Sequence, residues 1–375
     1  MAEAPKEKLR LELGYFTLSD NRYPNNPRSP EQAIVEIYEQ VKLAEELGMY
    51  SAWIGEHHLN YFGVNSSPQV MLAALAGATR RIRLAPAVVL LPIHHPLQVA
   101  EDWATLDLLS GGRVDFAAGR GYDRAEYAAF GAPYDDSVAI FAEGMEIIWR
   151  AWTERGRWSH EGRYYQFHDV DIVPKPLQKP MRPYVACFSR PSMELGAAHD
   201  WHIVYAPFSA AMAYGSLEAG VRAYQDECAK YGRTRRRVVC SVYVHLCAGP
   251  GDEQYGRERI VSYFRDALLP ALPSDPEKIP PHYRYFLTIV EAVKNMRAET
   301  FVSSSVSIGP PDKVIADLKV IESAGVDEVV VGFSFGRKPH QMVRDQMAMF
   351  MERVAPAFEG SHRAVQSGAP ALARR

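Results

Sequence analysis

Residues 83–118 read RLAPAVVLLPIHHPLQVAEDWATLDLLSGGRVDFAA, an apolar run, a helical pattern and a second apolar run. The first run, Arg83–Leu91, lacks the polar alternation of a half-exposed strand, which indicates a strand buried on both faces. The helical pattern over Pro96–Leu109 begins with a proline in its first turn and ends at Gly111-Gly112. Val114–Ala118 then forms the next strand. Two buried strands joined by a helix predict a parallel pair with a helical crossover.

The same unit of strand and helix repeats along the chain. Continuous apolar runs that alternate with helical patterns predict a parallel sheet covered by helices on both faces. Eight such units favour closure into a (β/α)8 TIM barrel, with an open doubly wound sheet as the alternative. The eight predicted strands are Leu11–Leu18, Ser51–Gly55, Arg83–Leu91, Val114–Ala118, Tyr184–Phe188, His202–Tyr205, Arg237–Cys247 and Glu328–Phe333.

The 375 residues are predicted to form one barrel domain with a core over about 10–356. The alternation fails at about 249–305, where PGDEQYG and LLPALPSDPEKIPPHY occur. We interpret this segment as an insertion after strand seven and expect it over the active face. The last residues, about 361–375, have the composition of a disordered tail.

Composition excludes several classes of function. The net charge of −3 carries no basic excess that would predict binding to nucleic acid or to an anionic membrane. No run of 18 apolar residues occurs, and the N-terminus lacks the apolar core of a signal peptide. The four cysteines form no CxxC pair, which favours a reducing compartment, and we expect a cytoplasmic protein.

Catalytic groups of such barrels stand at the carboxyl ends of the strands. Strand two is followed by Glu56-His57-His58, which could bind a metal, move a proton or cap the core. Adjacent residues of a strand point to opposite faces, so only one of the two histidines is expected to face the barrel axis. Strand one has no histidine to complete a metal site, and we predict no bound metal.

The strand-four motif Gly119-Arg120-Gly121 is followed by Arg124, so the GxGxxG pattern of a dinucleotide site is incomplete. An arginine between glycines suits a phosphate, but an ion pair with Asp115 or Asp123 explains it equally well. After strand five, Ser189 and Ser192 open a helix. Their hydroxyls could bind an anion or simply cap that helix.

Residues 55–131 carry a more specific signal. The order and spacing of their motifs resemble the bacterial luciferase-like flavin-dependent monooxygenase family, and weaker resemblance extends over nearly the whole chain. The motifs are EHH at 56–58, NSSP at 65–68, LPxxHP at 91–96, AEDxxxLDxLSGGR at 100–113, GRGY at 119–122 and AFG at 129–131.

The resemblance implies a barrel that binds reduced FMN (FMNH2), forms a flavin C4a-hydroperoxide with O2 and oxygenates a small organic substrate such as an aldehyde or ketone. It implies catalytic roles for His57, near the reactive edge of the flavin, and for Glu56, which would orient the loop. Ala87 and Val88 would pack against the flavin ring, often across a cis peptide. The remaining implied cofactor contacts, on the phosphate or beside it, are Arg120, Gly121, Tyr122, Ser189 and Ser192.

The resemblance also implies partners, namely a separate NAD(P)H:flavin reductase that supplies FMNH2 and a second copy of the chain in a homodimer. The sequence departs from luciferase itself at Gly119, where luciferase has a cysteine, and at Cys187-Phe188, where luciferase has a carboxylate. These departures count against light emission. The alternatives are a deazaflavin-dependent oxidoreductase of the same superfamily and a flavin-binding protein without catalysis.

Overall fold

The computed structural model describes residues 11–59, 62–301 and 303–358, so the predicted tail at 361–375 lies outside it. Twelve strands occur within these residues. They are β1 Glu12–Thr17, β2 Ser51–Ile54, β3 Arg83–Pro86, β4 Val89–Leu90, β5 Ala117–Gly119, β6 Trp158–Glu161, β7 Gln166–Val170, β8 Tyr184–Ala186, β9 His202–Tyr205, β10 Val238–Leu246, β11 Val306–Gly309 and β12 Glu328–Gly332.

The main sheet closes on itself. Its strands follow the order β3-β2-β1-β12-β10-β9-β8-β5-β4, and every neighbouring pair is parallel. The first and last members, β3 and β4, are the two halves of the predicted third strand, interrupted only at Ala87-Val88. The two ends of the sheet therefore meet in one chain segment, and the predicted TIM barrel is confirmed.

Two features of the sheet structure are absent from the sequence-based prediction. β11 pairs with Tyr243–Leu246, alongside the part of β10 that extends beyond its pairing with β9 at Val238–Cys240. β6 and β7 form an antiparallel hairpin between the predicted strands four and five, where the sequence analysis names no strand. Both features lie outside the eight barrel positions and leave the strand order of the barrel unchanged.

Helices connect the barrel strands, and residues at their ends mark where they begin and end. Ser29 caps the first helix through a hydrogen bond of 3.1 Å from the Gln32 N–H, and Gly111 ends the third helix with φ of 72°. The helices of the described residues are α1 Pro30–Glu46, α2 Pro68–Ala78, α3 Pro96–Ser110, α4 Arg124–Phe130, α5 Ser137–Thr153, α6 Arg190–Ala198, α7 Pro207–Tyr214, α8 Leu217–Lys230, α9 Asp252–Ser262, α10 Phe286–Lys294, α11 Pro311–Ser323 and α12 His340–Arg353.

Strand side chains alternate between two apolar layers. Trp53 and Val330 point into the barrel, where they join aromatic residues from other strands. Ile54 and Val331 point outward and pack beneath the helices. Both faces are buried, which explains why the strands lack polar alternation. None of the described helices has the combination of length and apolarity that a bilayer crossing demands.

The chain between β10 and β11 crosses the carboxyl ends of the barrel strands. We call residues 249–301 the covering segment. It contains α9, a π-helical stretch at Tyr263–Leu268 and α10. Side chains of the π-helical stretch pack into the same apolar cluster as the inward-facing residues of the barrel. The segment therefore closes one end of the barrel, the end at which catalytic groups of such folds stand.

Candidate active site

A cavity lies between the carboxyl ends of the barrel strands and the covering segment. Phe16 and Trp53 contribute to its wall from below, and the covering segment supplies aromatic side chains from above. Most of its wall is apolar, which suits a reaction from which water must be excluded. The covering-segment residues in the wall include Tyr263, Phe264, Tyr283, Tyr285 and Phe286.

Seven of the nine predicted site residues meet in this one cavity, although they come from three separate stretches of the chain. They are Glu56, His57, Ala87, Val88, Arg120, Gly121 and Tyr122. The other two, Ser189 and Ser192, follow the wall residue Phe188 in the chain, at the start of α6. Their hydroxyl oxygens are 3.3 Å apart, and the Ser189 side chain does not cap the helix.

The third strand gives the cavity its flat apolar wall. A cis peptide joins Ala87 and Val88, as the resemblance implied, and both residues face the cavity. Gly119 lies opposite, and a Cβ atom there would be 2.6 Å from Val88 Cγ2. The side chain of Val88 thus fills the space that a cysteine at position 119 would need.

Arg120 has the properties of an anion-binding residue. Its Nη1 is buried without a hydrogen-bond partner among the described residues, and its guanidinium lies 5.1 Å from the centre of the Tyr283 ring. Asp115 pairs instead with Arg83 at 2.7 Å, and Asp123 caps α4 through the Ala125 N–H at 2.8 Å. The structure therefore shows neither of the ion pairs that could have explained Arg120.

Three tyrosines hold the loop that carries Arg120. The Tyr127 hydroxyl donates to the Arg120 carbonyl, the Tyr283 hydroxyl to that of Gly121 at 2.7 Å, and the Tyr134 hydroxyl to that of Tyr122 at 2.8 Å. Tyr134 and Tyr283 also stack, with ring centroids 5.0 Å apart. Consecutive carbonyls are thus fixed by side chains from α4, from the turn before α5 and from the covering segment.

Replacing Tyr283 by phenylalanine should weaken FMN binding about three- to tenfold. The change removes one hydrogen bond to the loop, worth about 1 kcal/mol, and keeps the ring against Arg120. Fluorescence titration with FMN would measure the effect. Tyr285→Phe is the matched control, since its hydroxyl has no hydrogen-bond partner among the described residues. Equal losses in both variants would show that the bond to Gly121 does not position the loop.

Glu56 joins two strand ends. Its Oε2 accepts the Leu90 N–H at 3.0 Å, and its Oε1 accepts from His58 Nε2 at 2.8 Å and from His94 Nε2 at 2.5 Å. Burial alone would raise the pKa of the Glu56 carboxyl, but these hydrogen bonds and the charge on His94 lower it to about 2. Glu56 is therefore an anion that fixes the loop after strand two against strand three.

The donor atoms of Glu56, His58 and His94 lie within 4.8 Å of one another, which is close enough for a metal ion. Both imidazoles already donate to the same carboxylate oxygen, so the cluster satisfies its own charge and hydrogen bonds. The absence of a bound metal stays a prediction.

Glutamine in place of Glu56 should lower the free energy of unfolding by about 2–3 kcal/mol at neutral pH. The carboxyl pKa is lowered from 4.5 to about 2, so its stabilisation is present above pH 4.5 and lost as the pH falls towards 2. The pKa of His94 is raised, so its share is present below pH 6.5 and lost as the pH rises through the raised value. Denaturant unfolding from pH 3 to 9 would test this, and parallel pH curves for both proteins would contradict it.

His57 and His58 take different positions, as alternation along the chain predicts. His57 lies in the cavity wall, where its ring contacts Phe62 with centroids 4.6 Å apart. Its Nδ1 is 3.8 Å from Glu126 Oε1, and the same oxygen accepts the His58 N–H at 2.8 Å. Glu126 is a buried carboxylate of α4 that the sequence reasoning missed, because its position three residues after the cap Asp123 is typical of an ordinary helix start.

The sequence profile of the family described as luciferase-like monooxygenase matches residues 11–328. The chain belongs to the luciferase-like monooxygenase family. The resemblance inferred from the EHH and GRGY motifs is thereby confirmed. As a member of this family, the protein is an oxidoreductase of the flavin-dependent monooxygenase class.

Relatives of this luciferase-like protein differ in how much of the chain they match. The oxygenase component of flavin-dependent trigonelline monooxygenase from Acinetobacter baylyi is 26% identical over 359 residues, which are 90% of this chain and 93% of that protein. The uncharacterized protein y4vJ from Sinorhizobium fredii is 33% identical over 184 residues, 49% of this chain and 52% of that protein.

Solved structures share the fold of this luciferase-like protein. The monooxygenase RslO1 from Streptomyces bottropensis has a TM-score of 0.76 at 25% identity and covers 93% of this chain and 100% of its own. The oxygenating constituent of 3,6-diketocamphane monooxygenase from Pseudomonas putida, in complex with FMN, has a TM-score of 0.72 at 19% identity. The match covers 93% of this chain and 98% of that chain. An F420-dependent secondary alcohol dehydrogenase has a TM-score of 0.73 at 16% identity, and the match covers 94% of this chain and 100% of that chain.

Proposed function

We propose that the protein is the oxygenase component of a two-component monooxygenase that uses FMNH2 and O2. When bound, the reduced flavin would supply the redox chemistry, forming a C4a-hydroperoxide that oxygenates a small organic substrate. The name of the trigonelline relative, an oxygenase component, supports a division of labour with a separate NAD(P)H:flavin reductase. The four free cysteines suit the reducing conditions of a cytoplasmic enzyme.

The buried, unpartnered Nη1 of Arg120 is the observation that carries the proposal. A guanidinium in a mostly apolar cavity requires an anionic partner, and a flavin phosphate supplies one with matching geometry. Gly121 and Tyr122 share the loop with Arg120, while Ser189 and Ser192 at the start of α6 would add donors to the same phosphate. The flat wall at Ala87-Val88 would then hold the flavin ring.

The chain's own residues would position the flavin, exclude water and move protons. His57 is the titratable side chain of the cavity wall that a proton donor or acceptor requires, since Glu56 is held as an anion by its two histidines. The aromatic side chains of the covering segment would exclude water from the reacting edge. We further propose a homodimer through α2 and α3, where Val70 and Leu109 are exposed.

An oxidoreductase that uses a reduced deazaflavin is the alternative, because the F420-dependent dehydrogenase has the same fold. A non-catalytic flavin-binding protein is a weaker alternative, since His57 and Arg120 are both present in the cavity.

Anaerobic titration with reduced FMN and, separately, with reduced F420, each followed by mixing with oxygenated buffer, distinguishes these functions. We expect the protein to bind reduced FMN and to give a transient absorbance band of an oxygen adduct before oxidised FMN appears. Tight binding of F420 with no oxygen reaction would contradict the proposal. Binding of FMN without any delay in its oxidation would support a non-catalytic protein.

A further inference from the structure

Two tyrosines form a hydrogen-bonded pair in the cavity wall. Tyr243 belongs to β10 of the barrel, and Tyr263 is the first residue of the π-helical stretch in the covering segment. Their hydroxyl oxygens are 2.6 Å apart, and their ring centroids 4.9 Å. Both side chains are buried, and both line the cavity. Single-turn π-helices are frequent at functional sites.

Neighbouring rings fix the pair in place. Tyr243 packs between Phe16 and Phe335, at centroid distances of 5.9 and 5.5 Å. It also lies against Gly332, where a Cβ atom would come within 2.6 Å of its ring. The barrel strand β12 thus has a glycine where a side chain would displace this tyrosine. The pair is therefore held rigidly rather than turned towards solvent.

The two hydroxyl groups of the pair carry two protons, and the hydrogen bond between them uses only one. Burial raises the pKa of both hydroxyls above the ordinary value, so each keeps its proton. The two hydroxyls share one hydrogen bond, so whichever of them donates it, the O–H of the other has no acceptor among the described residues. A buried hydroxyl donor without an acceptor costs free energy unless a ligand supplies the missing oxygen.

The position of the pair relative to His57 identifies which ligand this would be. The His57 ring contacts Phe62, and Phe62 contacts Tyr263 at a centroid distance of 5.9 Å. Arg120 contacts Tyr283 instead, so the pair and the anion-binding group belong to different parts of the wall. If the flavin phosphate lies at Arg120 and its ring at Ala87-Val88, the space beyond His57 remains for the organic substrate.

We propose that Tyr263, oriented by Tyr243, is the residue that selects the substrate, by donating its hydroxyl proton to an acceptor oxygen on an uncharged ring-shaped molecule. The surrounding wall is aromatic, with Phe16, Trp53 and Phe264 nearby, and provides stacking surfaces for a ring. No side-chain cation of the described residues lines this part of the cavity, which disfavours a carboxylate substrate. The inference rests on the proposed function, because it assigns this space to the substrate.

Acetophenone and α-methylstyrene test the proposal as probes, because they have the same shape and differ only in C=O against C=CH2. Equilibrium dialysis of each probe with the full-length protein would give its dissociation constant. The wild type should bind acetophenone at least tenfold more tightly than α-methylstyrene. Tyr263→Phe should reduce this preference to about twofold and leave α-methylstyrene binding unchanged.

Two further variants distinguish the effect of the donated hydrogen bond from the effect of side-chain shape. Tyr243→Phe leaves the Tyr263 O–H in place and should retain most of the preference. Tyr231→Phe, at an exposed tyrosine that follows α8, should retain all of it. A wild type without preference, or a preference that survives Tyr263→Phe, would overturn the assignment. FMN affinity measured on the same proteins keeps the two proposals apart, since loss of flavin binding contradicts the proposed function and leaves the probe preference to be judged by itself.

Discussion

Alanine at position 120 should weaken the binding of FMN about ten- to a hundredfold. The guanidinium of Arg120 is buried, lacks an ion-pair partner among the described residues, and would form charge-assisted hydrogen bonds to the phosphate. Bonds of this kind are worth about 1.5–3 kcal/mol, and 1.4 kcal/mol corresponds to a factor of ten in affinity. Lysine at the same position should recover only part of the loss. It keeps the positive charge but lacks the planar guanidinium, which can donate two parallel hydrogen bonds to a phosphate.

Riboflavin provides the matched ligand for this test, since it is FMN without its phosphate. Arg120→Ala should leave riboflavin binding within about twofold of the wild type while FMN binding falls, as measured by fluorescence titration of both ligands. Arg222→Ala, an exposed arginine on α8 that pairs with Glu218, is the control protein. An equal loss for the two ligands would place Arg120 away from the phosphate.

Alanine in place of His57 should lower the rate of substrate oxygenation about a hundredfold or more, because positioned general acids and bases contribute on that scale. FMN affinity should change little, since His57 lies at the cavity wall beside Phe62 and Arg120 would supply the contact to the phosphate. Oxygen consumed without product should appear as hydrogen peroxide. The ratio of product to hydrogen peroxide, measured over a pH series, would test this.

His168→Ala is the matched control for that experiment, because His168 is an exposed histidine of the hairpin that pairs with Glu161. An unchanged ratio in His57→Ala would refute the catalytic role. A loss of both FMN binding and thermal stability would indicate that the imidazole serves the packing of the loop instead, and His57→Gln would then distinguish shape from protonation.

The barrel could be predicted because each of its strands and helices is specified by residues that are neighbours in the sequence. Each barrel strand is a continuous apolar run, and the helix between two strands has start and stop signals of its own, as at Ser29 and Gly111. β11 was missed because Val306–Gly309 has only two apolar residues and follows a run of serines, and because it pairs only where β10 extends past β9. The hairpin at 158–170 was missed because both of its strands contain exposed polar residues and therefore lack the continuous apolar run of a barrel strand.

The residues of the candidate site that directly follow a strand could be predicted from the sequence. The residues contributed by segments distant in the chain could not be predicted as well. Glu56, His57 and Arg120 follow strands directly, so the fold itself brings them together. The contacts of Glu126 and Tyr283 depend on where α4 and the covering segment pack, which periodicity does not encode. Ser189 and Ser192 follow strand five as expected, yet Phe188 rather than either serine forms the wall.

The bond between Tyr283 and the Gly121 carbonyl has a consequence for the exchange of flavin between turnovers. Because Tyr283 belongs to the covering segment, displacement of that segment would also release the loop that carries Arg120 and withdraw an aromatic ring from its guanidinium. Departure of spent flavin and uncovering of the cavity would then be one event with one rate. Under the proposed function, in which a partner enzyme delivers fresh cofactor for every catalytic cycle, such coupled release would allow each turnover to begin with an open site.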